Sequence, residues 1–187
     1  MRLVLALFLS LILMLAPLAA ATVPRRSPEY AVKLTTGRQI LLSSFRGKVV
    51  VLMFVSTDCA HCRDTCALMS GLQKEYGPKG IETLAVAFNE SAMMLVPSFI
   101  QRSGATFPVG FDKRDPVLEY LQIPMGFTLY VPIMVFIDRS GTIRGQFVGD
   151  DQFFGNQEKN IRATLDGLLK EPVRTPTSAG RTSGKGK

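Results

Sequence analysis

An apolar run that ends just before two closely spaced cysteines constrains this chain more than any other feature. Residues 48–55 are almost continuously apolar, which is typical of a strand buried on both faces of a sheet with parallel neighbours. Beyond that run, apolar side chains recur at the spacing of one helix face: Cys62, Cys66, Met69 and Leu72. The sequence therefore predicts a buried strand followed by a helix from Cys59 to about Tyr76.

The two cysteines at this junction form a C-x-x-C motif. At the start of a helix, the sulfur of Cys59 lies near unpaired backbone N–H groups and the positive end of the helix dipole, which favour thiolate over thiol. Cys62 follows one turn later, within reach for a small disulfide. The pattern favours redox chemistry, although half of a zinc site or a purely structural disulfide has the same local sequence. The chain has no second C-x-x-C, and His61 is its only histidine.

The remaining pattern alternates strands and helices. An N-terminal hairpin precedes the central strand, and a second hairpin with a final helix closes the domain. This order predicts an α/β fold with a central mixed sheet flanked by helices. The predicted strands are 30–34, 38–42, 48–55, 81–88, 107–111, 131–137 and 142–148, and the predicted helices are 59–76, 90–102 with an interruption at Pro97, 115–121 and 151–169.

The two ends of the chain differ from the domain in composition. Residues 1–21 combine Arg2, a long apolar run and three alanines, which predicts a signal peptide cleaved after Ala21, or a retained signal anchor. Residues 22–29 read as a linker, residues 30–170 as one domain, and residues 171–187 as a disordered basic tail. The domain is therefore expected in the periplasm or otherwise outside the cytoplasm, with membrane association possible through an uncleaved N-terminus.

The net charge of +7 does not predict a nucleic-acid partner. Four of the basic residues belong to the tail, and the others are scattered among acidic residues rather than gathered on one helix face. We expect a monomer with no nucleic-acid partner.

Several segments together resemble a known group of proteins. They resemble the extracytoplasmic TlpA/ResA-like thiol-disulfide oxidoreductases, which are close to the AhpC/TSA group. This resemblance implies a thioredoxin-like fold with an N-terminal β-hairpin and a central βα insertion. The segments are residues 42–52, Cys59 to Cys62, residues 131–138 and residues 141–143.

The resemblance also implies roles for individual residues. Cys59 corresponds to the nucleophile that attacks a substrate disulfide, and Cys62 to the cysteine that resolves the mixed disulfide. Val131 and Pro132 match the cis-proline position, where the Val131 backbone can pair with an extended substrate segment. Glu90 falls where ResA-like proteins place an acidic residue, and a partly buried carboxylate there could exchange a proton with Cys62.

The same resemblance implies the partners. They are protein disulfide or dithiol substrates and a membrane or periplasmic redox partner, and no bound cofactor is expected.

Two residues at the motif depart from the family pattern. Asp58 replaces the aromatic residue that usually precedes the first cysteine, and its carboxylate should oppose thiolate formation at Cys59. His61, if protonated, should favour the thiolate. A histidine before the second cysteine also occurs in the oxidant DsbA, so the motif predicts exchange chemistry without deciding between a reductant and an oxidant.

The third cysteine leaves an alternative open. Cys66 is expected to be a buried apolar residue, yet Cys62 and Cys66 also resemble the C-x-x-x-C of Sco-type copper proteins. A peroxiredoxin-like peroxidase is a further alternative, because Ser56 matches one of its residues while Leu52 stands where it needs a proline. The apolar segment 123–130 could form a substrate groove or pack into the core.

Overall fold

The computed structural model describes residues 22–172. These residues form one eight-stranded sheet with the strand order β1-β8-β7-β4-β5-β6-β2-β3. The strands are β1 (Arg25–Arg26), β2 (Ala31–Lys33), β3 (Gln39–Leu41), β4 (Val49–Val55), β5 (Ile81–Ala87), β6 (Val109–Phe111), β7 (Ile133–Ile137) and β8 (Thr142–Phe147). The helices are α1 (Ala60–Tyr76), α2 (Ala92–Ser103), α3 (Arg114–Leu121) and α4 (Gln157–Lys170), with 3-10 turns at Leu42–Phe45, Gly77–Lys79 and Gln152–Asn156.

The predicted buried strand is β4, at the centre of the sheet. All seven of its residues are buried, and it pairs parallel with β5 and antiparallel with β7. Alternate side chains point to opposite faces, so β4 contributes to two hydrophobic cores. Burial of each such aliphatic side chain contributes roughly 1.5–3 kcal/mol before the entropic cost of folding, which makes β4 the strand on which the fold depends most.

Helices cover both faces of the sheet. The core on one face contains residues of α1, α2 and α4, and the core on the other contains residues of α3, β2 and β7. The predicted hairpin is present as β2 and β3, and β6 with α3 lies between β5 and β7 in the chain. The mixed α/β architecture predicted from the sequence is therefore confirmed.

Strand direction places three loops at one edge of the sheet. The parallel strands β4 and β5 end side by side, since Val55 is paired with Ala87. The antiparallel strand β7 begins at the same edge, where Ile133 is paired with Phe54. The loops that carry Cys59, Asn89 and Pro132 consequently meet there.

Several boundaries differ from the prediction, and three of these differences change the extent of the domain or of its last helix. The predicted linker 22–29 contains β1, which pairs antiparallel with β8. Glu171, assigned to the tail, instead forms an ion pair with Arg144 at 2.8 Å. The final helix starts later than predicted, at Gln157 after the 3-10 turn.

Helix α2 also differs from the prediction, because it continues through Pro97. Proline lacks the N–H that would bond to the carbonyl of Met93, four residues earlier. Met93 is 60% exposed, so water can satisfy this carbonyl and the helix need not break.

The predicted signal segment, residues 1–21, and most of the predicted tail, residues 173–187, lie outside the described residues. Within residues 22–172, no helix combines the length and the apolar character needed to cross a bilayer.

Candidate active site

The first cysteine of the motif caps helix α1. Cys59 has extended backbone angles, φ −80° and ψ 119°, and the next residue is the first of the helix. Its Sγ accepts a hydrogen bond from the backbone N–H of Cys62 at 3.1 Å. The Cys59 side chain is half-buried, so its sulfur remains accessible. This arrangement holds the sulfur against a backbone N–H group of the first turn of α1, at the positive end of the helix dipole.

The second cysteine lies behind the first and is completely buried. Burial raises the pKa of the Cys62 thiol, and its hydrogen bond with Cys59 and the proximity of the other cysteines raise it further. Cys59, Cys62 and Cys66 are all free thiols in the structure. The pair therefore consists of an accessible sulfur and a buried neighbour that keeps its proton at neutral pH.

The loop before β7 forms the opposite wall of the site. The Val131–Pro132 peptide bond is cis, as the sequence predicts. The Val131 carbonyl oxygen lies 3.9 Å from the Cys59 Sγ. Tyr130, just before it, is 54% exposed. The loop thus presents a backbone carbonyl beside the accessible sulfur.

A glycine missed by the sequence analysis supports this loop from behind. The Gly149 N–H donates a hydrogen bond to the Tyr130 carbonyl at 2.8 Å. A Cβ on Gly149 would lie 2.8 Å from the carbonyl carbons of Tyr130 and Val131 and from the Val131 carbonyl oxygen. Only glycine fits without a shift of that loop, and the close approach could not be seen in the sequence, where Gly149 merely follows a strand.

The two residues that depart from the family pattern are both exposed. Asp58 accepts a hydrogen bond from the Ser56 hydroxyl. The His61 ring packs edge-on against Phe154, with ring centroids 5.7 Å apart. Both side chains belong to residues close to Cys59 in sequence and are exposed to solvent. Solvent and salt screen charge interactions between exposed groups.

Glu90 is more exposed than the sequence analysis predicts. Its side chain is exposed, so the expectation of a partly buried carboxylate is wrong. The preceding residue, Asn89, reaches the motif instead and hydrogen-bonds to Thr57 with both atoms of its amide. A role of Glu90 in proton transfer stays a prediction.

Cys66 belongs to the hydrophobic core below the motif. It is completely buried, and burial raises the pKa of its thiol to about 12. Within residues 22–172, no group of three or more His, Cys, Asp or Glu side chains is placed to hold a metal ion. The copper interpretation of Cys62 and Cys66 finds no third ligand of these types in that part of the chain.

The segment 123–130 is packed partly into the core and partly exposed. Ile123 and Leu129 pack against the core beside α3. Met125 and Phe127 are 74% and 52% exposed, and the Phe127 carbonyl accepts a hydrogen bond from Arg114 at 2.8 Å. The segment is therefore anchored at its ends and exposes apolar side chains near the cis-proline loop.

Comparison with known proteins identifies the family. The AhpC/TSA family matches residues 23–146 of this chain. The chain belongs to the AhpC/TSA family.

Proteins similar in sequence to this AhpC/TSA chain are named as thiol-disulfide oxidoreductases or thioredoxin-like proteins. It is 31% identical over 130 residues to the thiol-disulfide oxidoreductase ResA of Geobacillus thermodenitrificans, which covers 70% of this chain and 71% of the relative. It is 30% identical over 127 residues to the thioredoxin-like protein YneN of Bacillus subtilis, which covers 67% of this chain and 71% of the relative.

Solved structures show the same fold. The crystal structure of a thiol:disulfide interchange protein of the thioredoxin family from Chlorobium tepidum matches with a TM-score of 0.63 and 24% identity. The match covers 80% of this chain and 99% of that protein. The predicted thioredoxin-like fold and the predicted ResA-like relationship are confirmed. This AhpC/TSA member is an enzyme of the thiol-disulfide oxidoreductase class.

Proposed function

We propose that the protein works outside the cytoplasm and exchanges disulfides with protein substrates through Cys59 and Cys62. The observation that carries this proposal is the pairing of an accessible sulfur with a buried one. The Cys59 Sγ caps helix α1 and accepts the N–H of Cys62 at 3.1 Å, while the Cys62 side chain is completely buried behind it. Such a pair separates the attacking thiol from the resolving thiol.

The exchange proceeds in two steps, formation of a mixed disulfide and its resolution. The Cys59 thiolate attacks one sulfur of a substrate disulfide, which forms a mixed disulfide and releases the other substrate sulfur as a thiolate. Cys62 then gives up its proton to the released thiolate and attacks the Cys59 sulfur. This attack breaks the bond between Cys59 and the substrate, forms the Cys59–Cys62 disulfide, and releases the second substrate sulfur as a thiolate, which takes a proton from water. The enzyme is thereby oxidised by two electrons and the substrate is reduced to a dithiol. The reverse sequence oxidises a substrate dithiol.

The neighbouring loop supports a protein substrate rather than a small thiol. The Val131 carbonyl beside Cys59 can accept a backbone N–H from an extended substrate segment, in the manner of strand pairing. Tyr130, Phe127 and Met125 add exposed apolar surface on the same side. Aromatic and methionine side chains of this kind are enriched where proteins bind one another.

The compartment follows from the N-terminal sequence. Residues 1–21 have the composition of a signal peptide or anchor, and outside the cytoplasm a membrane or periplasmic dithiol protein would have to regenerate the reduced pair. Fusion of residues 1–21 to a reporter that is active only after export tests this. Reporter activity that equals that of a fusion without this segment would contradict the proposal.

Turnover with a protein disulfide tests the activity itself. With dithiothreitol as the final reductant, the wild-type protein should accelerate reduction of insulin. Cys59→Ser and Cys62→Ser should each lose the acceleration, whereas Cys66→Ser, which removes the core cysteine, should retain it. Retention of full activity in Cys59→Ser would overturn the proposal.

A further inference from the structure

Thr57 lies two residues before Cys59, and its backbone N–H, its hydroxyl oxygen and its carbonyl oxygen each form a hydrogen bond with another side chain. Its N–H donates to Asn89 Oδ1 at 3.0 Å, and its Oγ1 accepts from Asn89 Nδ2 at 2.8 Å. Its carbonyl accepts from Arg102 Nη2 at 3.2 Å. Thr57 is completely buried, whereas Asn89 is half-buried and Arg102 is exposed.

Strand register explains why Asn89 reaches Thr57. Val55 of β4 is paired with Ala87 of the parallel strand β5, and Thr57 and Asn89 each lie two residues beyond this pair. The Phe88 N–H still bonds to the Val55 carbonyl at 3.2 Å, after which the two chains separate. The side-chain amide of Asn89 then takes the place of a backbone peptide group: its oxygen accepts one hydrogen bond from Thr57 and its NH2 group donates another.

Besides Thr57, the loop before Cys59 has a backbone contact at Ser56, whose carbonyl accepts the Cys59 N–H at 3.3 Å. Ser56 is half-buried, Asp58 is exposed, and their side chains bond to each other. Thr57 is thus the one completely buried residue between β4 and Cys59. The direction in which the chain enters helix α1 depends on how firmly Thr57 is held.

We propose that Asn89 and Arg102 are positioning residues for the nucleophile Cys59. By fixing Thr57, they hold Cys59 in the extended conformation in which its sulfur meets the Cys62 N–H. That hydrogen bond weakens steeply when its distance or angle changes. The proposal rests on the role of Cys59 proposed above, and positioning by Asn89 is distinct from the proton exchange expected of Glu90.

Loosening of the loop should affect the reduced enzyme more than the oxidised one. The reduced enzyme uses the Cys62 N–H to stabilise a thiolate, and hydrogen bonds to charged acceptors are stronger than those to neutral ones. A disulfide sulfur gains much less from the same N–H. Loss of the Thr57 contacts should therefore slow attack by Cys59 and shift the equilibrium toward the disulfide.

Paired variants at the Asn89–Thr57 contact test this prediction. Asn89→Ala removes both hydrogen bonds of the contact and Thr57→Val removes the one to the hydroxyl, whereas Thr57→Ser keeps the hydroxyl and should behave as wild type. Two readouts apply to each variant: the rate at which iodoacetamide modifies Cys59 at pH 7, and the equilibrium constant for exchange with glutathione. We expect a roughly fivefold slower rate and a roughly fivefold shift toward the disulfide, with no further loss in the double variant.

A second arginine supplies a matched control for Arg102. Arg139 also donates to backbone carbonyls, those of Leu169 and Glu171, but at the opposite end of the sheet. Arg102→Gln should alter both readouts, and Arg139→Gln should alter only stability. If all the variants lose stability while both readouts keep their wild-type values, the side chains are merely structural and the proposal is overturned.

Failure of this proposal is distinguishable from failure of the proposed function. Iodoacetamide and glutathione report on Cys59 without any protein substrate. Absence of insulin reduction by the wild-type protein would reject the function, and wild-type reactivity of Cys59 in Asn89→Ala would reject the positioning role.

Discussion

Cys66, which lies outside the C-x-x-C motif, should affect how the stability of the protein depends on pH. Burial raises the pKa of its thiol to about 12, whereas a cysteine in an unfolded chain titrates near about 8.5. The folded state therefore keeps a proton that the unfolded state loses. The stability linked to this thiol is complete below about pH 8.5 and is lost as the pH rises toward 12.

This linkage predicts that the free energy of unfolding falls with rising pH, and that Cys66→Ala makes this fall less steep. In the reduced wild-type protein, the free energy of unfolding should fall between pH 8.5 and 10, with Cys66 contributing up to about 1.4 kcal/mol per pH unit. Urea unfolding at several pH values measures the slope. Met69→Leu, on the same buried helix face, serves as a control and should keep the wild-type slope. Equal slopes in wild type and Cys66→Ala would contradict the prediction.

Gly149 carries the second prediction at this scale. Gly149→Ala places a Cβ within 2.8 Å of the carbonyl groups of Tyr130 and Val131, so the loop must shift. We expect a loss of about 1–3 kcal/mol in the free energy of unfolding and slower exchange at Cys59. In Gly155→Ala the new Cβ meets nothing within 4 Å, so this control should behave as wild type. Wild-type stability and exchange in Gly149→Ala would exclude the close approach.

Among the elements, those with the strongest sequence patterns were predicted best. The apolar run identified β4, and apolar spacing identified α1 with Cys59 at its start. Both patterns arise from burial, which is a property of the sequence itself. The site residues Cys59, Cys62 and Pro132 follow from their motifs, and the structure brings all three to one edge of the sheet.

The features that sequence analysis missed depend on contacts between distant segments. The exposure of Glu90 and the contact of Asn89 with Thr57 are set by the register of β4 against β5, which no local pattern encodes. Strand β1 consists of two arginines and has neither the apolar character nor the alternation that marks a strand. Its partner β8 lies far along the chain, so its pairing could not be predicted.

Strand β1 supplies the prediction at the scale of elements. It pairs with β8, and the Arg25 side chain bonds to the Tyr120 carbonyl and to Gln146 at 3.1 and 2.8 Å. A protein that lacks residues 1–26 should have a free energy of unfolding about 1–3 kcal/mol lower than a protein that lacks residues 1–21. Removal of residues 173–187, predicted to be a disordered tail, should leave it unchanged. Equal stability of the two N-terminal truncations would show that β1 is dispensable.

The whole molecule divides its tasks between the two ends of the sheet. At one edge, the loops after β4 and β5 and the loop before β7 surround Cys59. At the other edge, Arg139 bonds to the Leu169 carbonyl at the end of α4 and Arg144 bonds to Glu171 just after it, which ties the last helix to the β7–β8 hairpin. Chemistry at the first edge can therefore be altered by variants there without loss of the contacts that close the domain.

Trapping of the mixed disulfide tests the central claim most directly. The reduced Cys62→Ser protein, mixed with a protein disulfide such as insulin, should accumulate a covalent complex. Dithiothreitol should cleave this complex by reducing its disulfide bond, and mass spectrometry should assign the bond to Cys59. Wild-type protein and Cys66→Ser should resolve the complex through Cys62 and accumulate little. A complex that still forms in the Cys59→Ser, Cys62→Ser double variant, or that joins the substrate to Cys66, would contradict the account.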